Sequence, residues 1–234
     1  KSLSTIGKFT AGHSLGEYSA LVCAESLSFN DAVYLLNERG KAMQEAVPVG
    51  KGSMLAVLGI KAEELNNMIK NINLKEGICE IANDNANGQI IISGDKDSVQ
   101  SFQNLLKEKK IKTIPLKVSA PFHCSLMKPA AEIMKNKINK VKFNDPIFEI
   151  INNVTARVEK NSNTIKDLLI NQIYSTVRWR ESLINMEYAG VKNFIEIGPG
   201  KALIGMVKRT ITNSNCFSIN SIADIKNIEN EFKK

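Results

Sequence analysis

One short stretch, residues 12–16 with the sequence GHSLG, constrains this chain more than any other. It fits the Gly-x-Ser-x-Gly pattern, in which a sharp turn between a strand and a helix exposes a nucleophilic serine. Residues 8–10 predict the end of a strand, and residues 17–24, small and apolar, predict a buried helix. The two glycines would let strand and helix approach closely, and Ser14 would lie at a helix N-terminus that favours negative charge. The alternative is an ordinary serine in a glycine-rich turn.

Composition limits the classes of protein to which the chain can belong. Its 234 residues are 43% hydrophobic, enough for one large domain or for one domain carrying an inserted smaller one. No apolar run approaches the length of a membrane span and no signal-peptide pattern is present, so we predict no membrane association. The net charge of +7 is spread along the chain without interleaved aromatic residues. This pattern favours acidic partners or phosphates and argues against nucleic-acid binding.

The cysteines indicate a reducing environment. Four of them stand far apart in the sequence: Cys23, Cys79, Cys124 and Cys216. They form no Cys-x-x-Cys pair, so we predict free thiols rather than disulfides or a zinc site. We therefore expect no metal, and a location in the cytoplasm, or in the stroma of a plastid-type organelle if a transit peptide has been removed.

Residues 51–117 carry the pattern of a separate small subdomain. The predicted order β-α-β-β-α-β is typical of a ferredoxin-like module. Residues 84–88 are polar and contain Gly, which predicts the turn between the two middle strands. The predicted strands are 53–58, 78–82, 89–94 and 112–117, and the predicted helices are 61–71 and 96–109.

The remaining residues, 1–50 and 118–234, predict a larger α/β body in which strands alternate with helices. That alternation is typical of a mostly parallel sheet covered on both faces. Asn30 is the predicted cap of a helix that runs to about residue 46, and residues 147–153 predict a strand with a polar end. The sequence starts without Met and almost at the strand of the GHSLG turn, so we expect that an N-terminal part of the fold is missing from it.

Arg39 falls on the apolar stripe of the predicted helix, three and four residues after Leu36 and Leu35. An arginine that faces a protein core is rarely left unpaired. Two interpretations stay open. The more common outcome is a side chain that reaches solvent or pairs with a structural carboxylate. The functional interpretation is a cation that binds a carboxylate of the ligand.

A nucleophilic serine needs a base, and the chain has two histidines. His13 adjoins Ser14, so its side chain leaves the backbone in a different direction and is poorly placed as a partner. The remaining candidate is His123, in a loop bounded by Pro121 and Pro129 from which it could reach the serine. A lone histidine in a loop is otherwise most often a surface residue.

Several segments together resemble the malonyl-CoA:acyl carrier protein transacylases, the acyltransferases of fatty acid synthesis. The resemblance extends over essentially the whole chain and is far more specific than the serine motif alone. It implies an α/β-hydrolase-like large subdomain with the ferredoxin-like one inserted, and an active site in the cleft between them. The matching segments are residues 12–21, 39–40, 43–48, His123 with 126–129, 152–154 and 198–201.

The resemblance also implies roles for individual residues. Ser14 matches the acylated nucleophile, His123 its base, and Arg39 the arginine that binds the malonyl carboxylate. Leu15 matches the position whose main-chain N–H helps form the oxyanion hole. Gln172 matches the residue whose main-chain carbonyl orients the histidine in place of the usual Asp.

Three further positions are implied to lie near the acyl group or the rest of the substrate. Asn83 and Asn85 correspond to a loop beside bound substrate. Phe122, next to His123, should narrow the pocket against an α-methyl branch, as an aromatic residue does in similar modular acyltransferases. The family also carries a Gly-Gln-Gly-Ser-Gln segment whose glutamine supplies a second oxyanion N–H, and the printed sequence does not contain that segment.

The function implied by the resemblance is transfer of a malonyl group from malonyl-CoA to the phosphopantetheine thiol of acyl carrier protein. The reaction would be ping-pong, through a malonyl-serine intermediate, in fatty acid biosynthesis. Malonyl-CoA and acyl carrier protein are the expected partners, without a cofactor of the enzyme's own, and the chain is expected to be a monomer. The alternatives are a serine esterase or thioesterase, and a non-catalytic acyltransferase-like fragment.

Overall fold

The strand that precedes the GHSLG turn pairs with a strand from a distant part of the chain. In the computed structural model, which describes residues 7–72 and 77–231, β1 (Phe9–Ala11) lies parallel to β6 (Glu149–Ile151). A two-residue strand that the sequence did not reveal, β7 (Val158–Glu159), adds to β6 in the antiparallel direction. The strand predicted at 147–153 is shorter than expected, because only Glu149–Ile151 pair as a strand. Its polar end leaves the sheet and is free to take part in side-chain networks.

Helices bury an apolar core beside these strands. They are α1 (Gly16–Cys23), α2 (Phe29–Glu45), α5 (Lys128–Asn139) and α6 (Ser162–Gln172). Their core includes the fully buried side chains of Tyr18, Leu35 and Met134. The predicted cap of α2 is wrong: Ser28, not Asn30, has extended backbone and accepts a hydrogen bond from the Asp31 N–H at 3.1 Å. Both residue types cap well, so only the backbone conformation decides between them.

The small subdomain has the predicted elements with one change. Its antiparallel sheet has the strand order β3-β4-β2-β5, and its helices bury Leu65, Phe102 and Leu106 against the strands. The predicted turn at 84–88 is wrong in part, because the second strand continues through Ala86 with two bulges. The elements are β2 (Gly52–Leu58), α3 (Ala62–Asn71), β3 (Cys79–Ala86), β4 (Gln89–Asp95), α4 (Lys96–Glu108) and β5 (Lys112–Pro115).

The chain divides into two compact units, Lys1–Ser182 and Leu183–Lys234. Helix α7 (Trp179–Tyr188) begins in the first unit. The second unit contains the parallel pair β8 (Asn193–Ile197) and β9 (Asn215–Ile219), with α8 (Ala202–Thr210) between them and α9 (Ile222–Glu231) after them. This pair forms a sheet of its own, as β1, β6 and β7 do.

Two further features bear on the sequence predictions. All four cysteines carry free thiols, as expected for a reducing environment. Within residues 7–72 and 77–231, no helix combines the length and the apolar character that crossing a bilayer requires.

Candidate active site

Ser14 sits on a strained turn between β1 and α1. Its φ of +52° lies in the left-handed region, which a side chain other than glycine rarely adopts. Gly12 makes the turn possible, since a Cβ at this position would lie 1.9 Å from the carbonyl oxygen of Gly16. A Cβ at Gly16 would meet nothing within 4 Å, so only the first glycine of the motif is needed for space. The turn has the geometry predicted for a nucleophile elbow.

His123 reaches the serine from a loop more than a hundred residues away. Its Nε2 lies 2.7 Å from Ser14 Oγ, and its Nδ1 lies 2.9 Å from the main-chain oxygen of Gln172. With Nδ1 donating to that carbonyl, Nε2 is left unprotonated and accepts the serine hydroxyl. The elimination of His13 in favour of His123 thus agrees with the geometry.

The loop of His123 is held by the small subdomain. His123 itself has a φ of +58°, and the residues after it form a 3-10 turn, Ser125–Met127. The Glu80 carboxylate of β3 accepts the Ser125 N–H at 2.8 Å and the Ser125 hydroxyl at 2.7 Å. These two bonds fix the chain directly after the histidine.

Burial and a nearby cation keep the His123 ring neutral. Burial and, after it, the charge of Arg39 lower the pKa of His123 to about 3, against the bond to the Gln172 carbonyl, which raises it. A neutral imidazole is the form that accepts a proton. The His123 ring is therefore uncharged at neutral pH, the protonation state that a general base requires.

Arg39 lies inside the site on α2, with 7% of its surface exposed. Its Nη2 donates to Ser14 Oγ at 3.0 Å and to Gln172 Oε1 at 3.1 Å. No carboxylate of the described residues lies within 4.0 Å of the guanidinium, and its Nε has no hydrogen-bond partner among them. The side chain neither reaches solvent nor forms a direct ion pair, so the more common of the two interpretations does not apply.

A buried polar network beneath the serine was not predicted from the sequence. The Ser14 N–H donates to Asn153 Oδ1 at 2.7 Å, and Asn153 Nδ2 donates to the Gly12 carbonyl at 2.8 Å. The side chain of Gln172, whose main chain alone was assigned a role, donates to the Ser14 carbonyl at 3.0 Å. The fully buried Glu17 accepts from Asn152, Asn153 and Gln172. The available signals were the polar end of the strand at 147–153 and an acidic residue in an apolar helix.

Leu15 occupies the N-cap position of α1, makes no capping bond with its side chain and is 58% exposed. Its main-chain N–H has no acceptor among the residues that the structure describes. This free N–H lies directly after the nucleophile, where oxyanion donors of nucleophile elbows stand. The Ser14 N–H, by contrast, is already occupied by Asn153.

The three positions implied to lie near substrate have other contacts in this structure. Asn83 and Asn85 lie buried on β3 rather than on a loop. Asn85 Oδ1 is 2.7 Å from His13 Nε2, and the His13 ring stands edge-on to Trp179 at 5.6 Å. Phe122 is half-buried and packs against two hydrophobic clusters. His13 thus links the serine turn to β3 and α7 rather than serving as the base.

A cleft of about 1020 Å³ opens beside His123. It is lined by α3 and β3 on one side and by residues 174–181 on the other, including Arg178 and Arg180. Arg180 is paired with Asp84 at 2.8 Å and Arg178 with Glu181. No group of His, Cys, Asp and Glu side chains able to hold a metal ion occurs in the described part of the chain.

The known proteins to which this chain is similar are acyltransferases. Residues 6–232 match the acyl transferase domain family. The malonyl CoA-acyl carrier protein transacylase of Bacillus subtilis is 49% identical over 202 residues, which are 86% of this chain and 64% of that protein. This chain therefore spans a little under two thirds of the length of that relative.

Solved structures agree with the fold described above. The acyl-carrier-protein S-malonyltransferase of Bartonella henselae matches with a TM-score of 0.95 at 38% identity, covering 100% of this chain and 74% of that one. A complex of a type II PKS acyl-carrier protein with its malonyl-transacylase matches with a TM-score of 0.89 at 39% identity, covering 94% and 72%. The described elements thus have the α/β fold of these structures.

Proposed function

This chain belongs to the acyl transferase domain family, and from that membership we propose that it transfers a malonyl group from malonyl-CoA to acyl carrier protein. The single observation that supports malonyl as the acyl group is the environment of Arg39. A buried guanidinium points at the serine oxygen, lacks a carboxylate partner among the described residues and keeps an unpartnered Nε. The free carboxylate of a malonyl group would pair with it through charge-assisted bonds.

The proposed first half-reaction acylates Ser14. His123 Nε2 takes the proton of the Ser14 hydroxyl while Oγ attacks the thioester carbonyl of malonyl-CoA. The negative charge that develops on the carbonyl oxygen is stabilised by the Leu15 N–H and the N-terminus of α1. As the tetrahedral intermediate collapses, the C–S bond breaks and His123 returns the proton to the coenzyme A sulfur. The product is a malonyl-serine ester.

The proposed second half-reaction runs the same steps with a new thiol. The phosphopantetheine thiol of acyl carrier protein gives its proton to His123 and attacks the ester carbonyl. The C–O bond to Ser14 breaks, and His123 returns the proton to Oγ. The cleft beside His123 has room for the phosphopantetheine arm. The reaction is proposed to use no cofactor of the enzyme's own.

The substrate carboxylate also helps the proton transfer in this proposal. The charge of Arg39 is one of the causes that lower the pKa of His123. A carboxylate bound to Arg39 would offset that charge, so an imidazolium at His123 would form at a lower cost. Acetyl-CoA lacks the carboxylate and would leave the cation unpaired.

Finer assignments belong to the same proposal. The small subdomain, residues 51–117, is proposed as a ferredoxin-like insertion in an α/β-hydrolase-like body, which the order β3-β4-β2-β5 supports. Asn83 and Asn85 are proposed to lie near the substrate, and Phe122 to exclude an α-methyl branch.

The net charge of +7 suits an acidic carrier protein and the phosphates of coenzyme A. The chain is proposed to act as a monomer. Its free thiols suit a reducing compartment such as the cytoplasm or a plastid-type stroma.

Intact-mass spectrometry after incubation with malonyl-CoA or acetyl-CoA tests the proposal. We expect a malonyl adduct on the wild type, its absence in Ser14→Ala, and its loss when phosphopantetheinylated acyl carrier protein is added. Ser19→Ala, an exposed serine on the same helix, is the matched control and should label like the wild type. Release of malonate to water at the same rate without carrier protein would instead support the esterase alternative, and no adduct at all would reject the proposal.

A further inference from the structure

Glu17 is a fully buried carboxylate one turn after the nucleophile, and neither half-reaction uses it. Its Oε1 accepts Asn152 Nδ2 at 2.6 Å. Its Oε2 accepts Gln172 Nε2 at 2.7 Å and the Asn153 N–H at 3.2 Å. All three partners are donors, so a proton on either oxygen would have no acceptor among them. The site is built around the ionised form of Glu17.

The Gln172 side chain connects this anion to the cation of the site. Its Nε2 faces Glu17, while its Oε1 accepts Arg39 Nη2 at 3.1 Å. A flipped amide would place its oxygen against the carboxylate and its NH2 against the guanidinium, two repulsive contacts. Glu17 therefore determines which way the amide points, and the amide determines where Arg39 is held.

A second arm of the network reaches the nucleophile itself. Glu17 holds the Asn153 main chain, and Asn153 accepts the Ser14 N–H at 2.7 Å. Gln172 Nε2 adds a bond to the Ser14 carbonyl at 3.0 Å. Both peptide groups of the strained serine are thus tied to residues that Glu17 orients.

We propose that Glu17 is a positioning residue whose carboxylate fixes the Gln172 amide and the Asn153 main chain and thereby holds Arg39 and Ser14 in a mutually productive arrangement. The charge of Arg39 is balanced across the amide, which leaves the guanidinium free of a direct ion pair and open to a ligand carboxylate. The part of this inference that concerns malonyl selectivity rests on the proposed function. The part that concerns Ser14 reactivity does not.

The test uses Glu17→Gln in the full chain and two readouts. The first is the rate at which diisopropyl fluorophosphate labels Ser14, followed by intact mass, which needs no malonyl chemistry. The second is the ratio of malonyl to acetyl adduct formation. We expect labelling to slow by at least about tenfold and the acyl preference to fall by a similar factor. The reason is that the NH2 group of the new amide must replace a carboxylate oxygen and face the hydrogen-bond donors that this oxygen accepted.

The pH profile of labelling separates positioning from a purely structural role. Burial raises the pKa of Glu17 to about 7, against the hydrogen bonds from Gln172, Asn153 and Asn152 and the charge of Arg39. The neighbouring Tyr18 hydroxyl interacts with Glu17 only electrostatically, and its pKa is raised to about 12, mainly by burial. The rate at which the wild type is labelled should therefore fall as the pH drops through about 7. The labelling rate of Glu17→Gln should not show this decrease.

Asp95→Ala is the destabilised control, since it removes the carboxylate that caps α4 in the small subdomain. It should label like the wild type after correction for folded protein by circular dichroism. If Glu17→Gln does not fold, Gln172→Met keeps the main-chain carbonyl and should show the same slow labelling and lost preference. If the double variant Glu17→Gln/Gln172→Met folds, its loss of labelling rate should be smaller than the sum of the two single losses, because both substitutions act through the Gln172 amide.

Wild-type labelling rate, acyl preference and pH profile in Glu17→Gln would overturn the inference, as would fully additive losses in the double variant. If the wild type forms no malonyl adduct but the fluorophosphate difference between wild type and Glu17→Gln persists, the proposed function fails while the positioning role of Glu17 stands.

Discussion

Arg39 carries its charge inside the protein with a hydroxyl and an amide oxygen as partners instead of a carboxylate. A buried cation without compensation is costly, so a stable protein rarely keeps one unless something balances it. Here the balance comes across the Gln172 amide from Glu17, which leaves one edge of the guanidinium without a protein partner. These contacts support the proposal that Arg39 binds the carboxylate of the acyl group.

Replacement of Arg39 by Ala should abolish the preference for malonyl over acetyl in a protein that still folds. A malonyl carboxylate left unpaired in the site costs about 3–5 kcal/mol, so malonyl adduct formation should fall at least about 10²-fold relative to acetyl. Rates of adduct formation from both thioesters, measured by intact mass, give this ratio. Arg157→Ala removes an exposed arginine and serves as the control. Equal loss with both acyl groups would show that Arg39 has no selective role.

At the scale of elements, the serine turn depends on one close approach between β1 and α1. The strand ends at Ala11 and the helix begins at Gly16, and the four residues between them include the left-handed Ser14. The approach brings the Gly12 Cα against the Gly16 carbonyl. The two glycines of the motif, which look equivalent in the sequence, therefore have different physical roles.

Gly12→Ala and Gly16→Ala form a matched pair that tests this difference. The added methyl at residue 12 would lie 1.9 Å from a backbone oxygen and 2.5 Å from the Glu17 nitrogen, so strand and helix must separate. We expect a loss of about 2 kcal/mol or more and a melting temperature lower by about 4–8 °C. The methyl at residue 16 meets open space and should leave the melting temperature within about 2 °C. Similar losses in both variants would contradict the assignment.

At the scale of the whole molecule, the site links segments that are remote in sequence. The serine comes from the first turn, the guanidinium from α2, the imidazole from the loop before α5 and its orienting carbonyl from the end of α6. Folding must bury these groups together. The ionisation of His123 is therefore coupled to the stability of the whole first unit.

That coupling predicts acid destabilisation. The pKa of His123 is about 3 in the folded protein, well below its usual value of 6.5, because of burial and Arg39. Between these values the unfolded chain binds a proton that the folded one does not, so the free energy of unfolding falls as pH drops through this window. The loss is at most about 1.4 kcal/mol per pH unit.

Urea unfolding of the wild type and of His123→Asn at pH 7, 6, 5 and 4 measures the effect. The variant lacks the titrating ring, so its free energy of unfolding should fall less than that of the wild type across this range. Parallel curves for the two proteins would mean that His123 keeps an ordinary pKa.

The sequence alone was sufficient for the parts of the molecule that depend on local order. The GHSLG turn, the alternation of strands and helices and the β-α-β-β-α-β module follow from side-chain periodicity and from the backbone preferences of Gly and Pro, which act over a few residues. His123 followed from a count of two histidines, and the placement of Arg39 in the core from its position on an apolar stripe.

Only the tertiary structure decided what surrounds these residues. The strand that replaces the turn at residues 84–86 is determined by its pairing with β4 and by its bridge to Val177. The network of Glu17 joins side chains separated by 135 and 155 residues, a distance over which no local pattern carries information. A buried carboxylate is stable only where folding brings donors to it, and those donors become neighbours only when the chain has folded.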